Sequence, residues 1–180
     1  VIHSSQYQDG EDWNGKPAIV IGTGNSGHDV AQDLASSGAA VTMVQRSSTY
    51  VVSIEPSAQL PYVLYDGSRT LEDTDLIALS MPIPLMRDAH INYSQNAREY
   101  CADLLSNLEA IGFKLDDPKG HAGWQFKYLT RGGGYYFNVG CSDMLIDGKI
   151  DLIQWSNIET FTETGLTQSD GKETKADLIV

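Results

Sequence analysis

The residues of this chain best suited to chemistry are six in a row, Gly22-Thr23-Gly24-Asn25-Ser26-Gly27. A turn of that composition, placed after a strand and opening a helix, offers backbone N–H donors and the positive end of a helix dipole to an anion. Gly22 permits the tight turn, Gly24 lets a phosphate approach the backbone, and Gly27 lets the helix pack on the strand. The expectation is a dinucleotide pyrophosphate surrounded by Gly22, Thr23, Gly24, Asn25, Ser26 and Gly27. Further on stands Gln45-Arg46-Ser47-Ser48, with no acid until Glu55. A site for NAD places Asp or Glu there to take the ribose hydroxyls. Arg46 can instead fork onto a 2′-phosphate, with Ser47 and Ser48 adding hydroxyl donors. The pattern favours NADP over NAD, and Gln45→Asp added to Arg46→Ala is expected to tilt the site toward NADH by supplying the missing acid.

These residues need a scaffold, and the flanking sequence predicts one. Pro17-Ala18-Ile19-Val20-Ile21 is an apolar run of the kind a buried parallel strand needs. A helix is expected over residues 26–36, where Gly27, Ala31 and Ala35 line one face and Gly38 follows as a stop. Ala40-Val41-Thr42-Met43-Val44 supplies the second strand and completes one βαβ unit. Between residues 52 and 134 the strand signal stops. Ala97, Cys101, Leu104, Leu108 and Ile111 fall on one face of a helix expected over residues 94–111. Strands resume at residues 150–155, 158–162 and 165–168, with Asp170-Gly171 as a hairpin signal. The apolar residues 176–180 are expected to form a central strand. The fold class expected is α/β, a Rossmann-type three-layer NAD(P)-binding domain with a helical insertion at about 52–134 and a β-meander. Residues 1–15 read as an inter-domain linker and 16–180 as the NADPH-binding domain.

Other chemistries fit poorly. Gly24-Asn25-Ser26-Gly27-His28 sits where a hydrolase nucleophile elbow would, but His28 stands where that motif needs Gly. Cys101 and Cys141 form no CxxC, and Cys101 on the apolar helical stripe reads as a buried structural thiol. His3, His28, His90 and His121 show no metal-ligand spacing, so no metal is expected. Twelve Lys and Arg against 24 Asp and Glu give a net charge of −12, which disfavours nucleic acid as a partner. The longest apolar stretch is broken by Pro82 and Pro84, too short to span a bilayer. The chain opens at Val1 and closes in Asp177-Leu178-Ile179-Val180, from which a piece of a longer protein is expected.

Residues 20–31, Val-Ile-Gly-Thr-Gly-Asn-Ser-Gly-His-Asp-Val-Ala, resemble the NADPH fingerprint GxGxSGxD of the flavin-containing monooxygenases. Val44-Gln45-Arg46-Ser47 is similar to that family's second-strand end, where the Arg receives the 2′-phosphate. His3-Ser4-Ser5-Gln6-Tyr7 resembles the tail of its linker motif, residues 131–140 resemble fungal and bacterial members, and residues 176–180 resemble the strand leading to its ATG motif. The resemblance implies an FAD-dependent monooxygenase that oxygenates a small organic substrate through a flavin C4a-hydroperoxide. NADPH would reduce the FAD, which the family binds through a second GxGxxG that this chain does not contain. The fragment alone would then be inactive and hold no catalytic residue that can be named. Its partners would be the FAD-binding domain of the same polypeptide and the small-molecule substrate, in the cytoplasm. His3 and Tyr7 would belong to a hinge. A Baeyer–Villiger monooxygenase, an FAD-dependent disulfide reductase and a non-enzymatic NADP sensor remain alternatives.

Overall fold

The computed structural model describes residues 1–180, and of Pro118 and His121 the backbone alone. The scaffold begins at β1 (Pro17–Ile21), continues through α1 (Asn25–Ser36) and returns in β2 (Ala40–Gln45). Strand β1 pairs in parallel with β2, from Pro17 opposite Ala40 to Ile21 opposite Val44. Next come β3 (Tyr50–Ser53), a 3-10 turn (Ser57–Tyr62), α2 (Leu71–Ser80), α3 (Ile83–Tyr100), α4 (Ala102–Ala110), α5 (Pro118–His121), α6 (Gly123–Arg131) and β4 (Tyr135–Asn138). The chain closes with α7 (Cys141–Ile146), β5 (Ile150–Gln154), β6 (Ile158–Thr162), β7 (Gly165–Gln168), β8 (Glu173–Lys175) and β9 (Leu178–Ile179).

The parallel sheet has the order β5-β2-β1-β9, and alternation along its strands builds two cores. Ala18, Val20, Val41 and Met43 face Val30, Ala31 and Leu34 of α1 and Leu145 of α7. Ile19 and Val44 face the other way, against Ile153 and Leu166. The second face is covered by β6, β7 and β8, an antiparallel meander whose last turn holds Gly171 at φ +84°. Helices, parallel sheet and meander make three layers, a Rossmann-type arrangement.

Three expectations need correction. The single helix over residues 94–111 is two, because Cys101 leaves helical geometry at φ −104°, ψ 14°. Its sulfur accepts from the Ser53 N–H at 3.3 Å and lies 3.2 Å from the Ser53 and Ser57 hydroxyls, in the buried place of a structural thiol. The final strand lies at the edge of the described sheet, beside β1 alone, and not at its centre. Residues 50–53 and 135–138 form a parallel pair outside the main sheet, so strand structure reaches past residue 52 and the aromatic run after Gly134 is itself a strand. The opening residues lie against the body: Ile2 N–H donates to Ile179 at 2.9 Å, and Ile2, Tyr7 and Trp13 pack on the larger core. Helix α2 and the start of α3 expose Leu76, Leu79 and Ile83, an apolar face of the kind that another body covers.

Candidate functional site

Strand β1 ends in a turn that two of its glycines make possible. Gly22 has φ +122°, a region side-chain-bearing residues rarely enter. Its N–H continues the ladder to Val44 at 3.0 Å. A Cβ on Gly27 would collide with the Gly22 carbonyl oxygen, so only glycine lets α1 start this close to β1. Gly24 is different: its φ of −84° suits any residue, and a Cβ there would meet only the Tyr135 carbonyl oxygen at 3.8 Å. What its missing side chain leaves open is space outside the protein. Gly24 is also the N-cap of α1, and no side chain caps the first turn. The Asn25, Ser26 and Gly27 amides therefore stand at the positive end of a twelve-residue helix.

Three hollows meet along the C-terminal edge of the parallel sheet. One of about 390 Å³ is lined by Gly22, Gly24, Asn25, Ser26 and Gly27, with Ser4 and Tyr135 opposite. The second, about 240 Å³, runs from Gly22, Thr23 and Gly24 to Arg46 and Ser47. The third, about 300 Å³, lies among Arg46, Ser47, Ser48, Lys127 and Arg131. The first two share Gly22 and Gly24, and the last two share Arg46 and Ser47, so the hollows form one path. An extended ligand with an anion at its middle and another at one end fits that layout. Open α/β sheets hold ligands at this edge.

All eight residues that the sequence nominates line this path, though two of them keep their side chains elsewhere. The Thr23 hydroxyl is buried 2.6 Å from that of Thr49, so Thr23 offers its backbone. Asn25 Oδ1 accepts from the Phe137 N–H at 3.1 Å and ties α1 to β4. Ser26, Arg46 and Ser47 are exposed. Among the described residues Arg46 pairs with no carboxylate.

Gln45 departs from its expected place. It is 1% exposed and points inward, with Nε2 donating to the Lys114 carbonyl at 2.9 Å. Its Oε1 accepts from Lys114 N–H at 2.7 Å and from Gln154 Nε2 at 2.8 Å. An acid at position 45 would therefore face Lys114 and not a ribose. Lys127 is similarly engaged: its ammonium lies 2.8 Å from Asp116 in a buried pair and donates to the Gly134 carbonyl at 3.0 Å. Arg131, by contrast, is exposed at the rim of the third hollow. Sequence reading includes it only in the stretch 131–140 that resembles fungal and bacterial members, and gives it no role in the site. Its position just before Gly132-Gly133-Gly134, a turn bending back to the site, is the signal that could have raised it.

The remaining titratable groups do structural work. His28 is buried beneath the turn, and desolvation lowers its pKa from 6.5 to about 4. Among the described residues no hydrogen bond joins it to Ser26, so a nucleophile-and-base pair is not assembled. Burial, with Asp29 and Asp143 nearby, pushes the Cys141 thiol up to about 12, which makes it a poor thiolate source. Tyr7 donates to Asp33 at 2.7 Å on α1, and burial together with that carboxylate raises its pKa. His3 caps a short 3-10 turn, taking the Ser5 N–H on Nδ1. Among the described residues no cluster of His, Cys, Asp or Glu fits a metal ion, and the His121 side chain lies outside them. No helix is long and apolar enough to cross a membrane among those residues.

Comparison with known proteins gives similarities at the level of family and fold. Residues 1–70 match the family model described as pyridine nucleotide-disulphide oxidoreductase. Indole-3-pyruvate monooxygenase YUCCA1 of Oryza sativa subsp. japonica is 29% identical, aligned over 99% of this chain and 39% of that protein. FAD-containing monooxygenase EthA of Mycobacterium tuberculosis is 27% identical over 100% of this chain and 37% of its own length. The crystal structure of cyclohexanone monooxygenase from Rhodococcus sp. Phi1 bound to NADP+ superposes with a TM-score of 0.50 at 16% identity, covering 99% of this chain and 40% of that one. That likeness bears on the fold. The chain thus spans about two fifths of the length of the curated relatives it matches.

Proposed function

We propose, taking similarity to the FAD-dependent monooxygenases as the premise, that this chain is the NADPH-binding domain of such an enzyme. The observation that carries this reading is the start of α1. An uncapped helix N-terminus behind a glycine opens onto a hollow of about 390 Å³ that continues to an exposed arginine. The Asn25, Ser26 and Gly27 amides hold the pyrophosphate, and the bare face of Gly24 lets it approach. Arg46 forks onto the 2′-phosphate, Ser47 adds a hydroxyl, and Arg131 supplies a second cation from across the hollow. These local cations matter because the chain as a whole carries −12.

When bound, the nicotinamide supplies a hydride to FAD, and the flavin's reaction with oxygen then oxygenates a small organic substrate. Residues outside these 180 hold the FAD, so the chain positions the donor and does not itself perform the oxygenation. Residues 1–15 serve as the linker to the FAD-binding domain, 16–180 as the NADPH domain and about 52–134 as its helical insertion. A cytoplasmic location goes with this reading. Titration of the isotope-labelled chain with NADP+ tests the site directly. Amide shifts are expected to concentrate at Gly22, Gly24, Asn25, Ser26, Arg46 and Ser47. Shifts confined elsewhere would overturn the assignment.

A further inference from the structure

Helix α1 buries a histidine whose polar chemistry is not needed for packing. His28 is fully buried, and its ring lies flat on Tyr136, 3.6 Å between centroids at 4°. Its Nδ1 is 3.1 Å from the Gly24 carbonyl oxygen. A carbonyl only accepts, so Nδ1 carries the proton and Nε2 is bare. Among the described residues that Nε2 is buried without a partner, which costs stability. A phenylalanine would fill the same space without the penalty.

The Gly24 carbonyl receives two donors. One is the ordinary helical bond from the His28 backbone N–H at 3.0 Å, and the imidazole is the second. The Gly24 carbonyl and the Asn25 N–H belong to one rigid peptide plane and point in opposite directions. Drawing the carbonyl back along α1 therefore aims the Asn25 N–H out of the helix, toward the hollow it lines. Glycine at position 24 leaves that plane freer to turn than any other residue would. A second restraint on its oxygen consequently acts where the backbone alone holds least. The imidazole is itself fixed, because the Tyr136 hydroxyl under it accepts from the Val139 and Cys141 N–H groups at 3.1 and 3.2 Å.

We propose that His28 is a positioning residue which, through the Gly24 carbonyl, holds the Asn25 N–H in the direction that binds the cofactor's pyrophosphate. This rests on the function proposed above. Two variants separate positioning from packing. His28→Phe keeps the ring and the stack on Tyr136 but removes the donor. His28→Asn places an amide N–H near the Nδ1 position and removes the ring. NADP+ affinity is measured by calorimetry on the whole 180-residue chain, beside each variant's thermal midpoint.

The expected result is that His28→Phe binds NADP+ about three- to tenfold more weakly at an undiminished midpoint. His28→Asn is expected to bind better than His28→Phe even though its midpoint is lower. A packing role gives the reverse order, and that order overturns the proposal. So does His28→Phe affinity within a factor of about two of wild type, a change below the weakest hydrogen-bond effect. Absence of NADP+ binding by the wild type overturns the proposed function and this inference with it. Wild-type binding with an unaffected His28→Phe overturns the inference alone.

Discussion

Gln45→Asp is the substitution that sequence reasoning suggests for admitting NADH, and the structure predicts that it damages the fold instead. Gln45 is 1% exposed and makes hydrogen bonds of 2.9, 2.7 and 2.8 Å to the Lys114 carbonyl, the Lys114 N–H and the Gln154 amide. Aspartate is one methylene shorter, and when ionised it has no donor for the Lys114 carbonyl. The substitution weakens or breaks the bond from the Lys114 N–H, at about 1–3 kcal/mol, and buries a carboxylate facing the Lys114 carbonyl, which keeps only the Thr49 N–H at 3.0 Å. A total loss of about 2–5 kcal/mol is a large share of a typical domain's stability. For a chain of this size that corresponds to roughly 5–15 °C in Tm. Urea unfolding and NADH titration of wild type and Gln45→Asp make the assay. Unchanged unfolding together with tighter NADH binding would refute the reasoning and return Gln45 to the cofactor site.

Other outcomes follow from the same geometry. Gly24→Ala should leave stability nearly unchanged and weaken NADP+, since a Cβ there meets only the Tyr135 carbonyl oxygen at 3.8 Å. Gly27→Ala should cost about 1–3 kcal/mol of stability, because its Cβ collides with the Gly22 carbonyl oxygen. Equal midpoints for the two variants would contradict this contrast. Stability should also depend on His28. Its pKa is about 4 folded against an ordinary 6.5, so the unfolded chain binds more protons between those values. That contribution is complete above about pH 6.5 and falls away toward pH 4, by about 3 kcal/mol in all. Urea unfolding at pH 7 and 4.5 should show a smaller pH loss in His28→Phe than in wild type, whose ring neighbours are Tyr136 and Phe113. Identical losses would assign the acid sensitivity to the carboxylates.

The parts of the fold legible in sequence were those with local signals. Val20 and Ile21 running into Gly22 mark strand, turn and helix within a few residues, and Asp170-Gly171 marks its own hairpin. The pairing of Tyr50 with Tyr135 has no such mark. Its partners meet only after the whole helical segment has returned, and short aromatic runs read equally well as core. The break at Cys101 has no local mark either, because the apolar spacing runs on through it and its sulfur's partners, Ser53 and Ser57, lie far off in sequence. The same distinction runs through the site. Gly22 and Gly27 are glycine for reasons internal to the turn. Gln45 looked like a cofactor-facing position because a strand end shows its register in sequence but not the loop at Lys114 that claims its side chain. Arg131 joins Arg46 and Ser47 only through the folding of the segment between β3 and β4.

The most direct test of the account is a calorimetric titration of the chain with NADP+ and NAD+, for wild type and Arg46→Ala. A hydrogen bond to a charged group is worth about 1.5–3 kcal/mol, or roughly ten- to over a hundredfold in affinity. Wild type should bind NADP+ more tightly than NAD+. Arg46→Ala should lose NADP+ affinity by about that factor and keep its NAD+ affinity, since NAD+ has no 2′-phosphate. Equal losses for both cofactors would make Arg46 structural, and wild-type chain that binds neither would contradict the central claim.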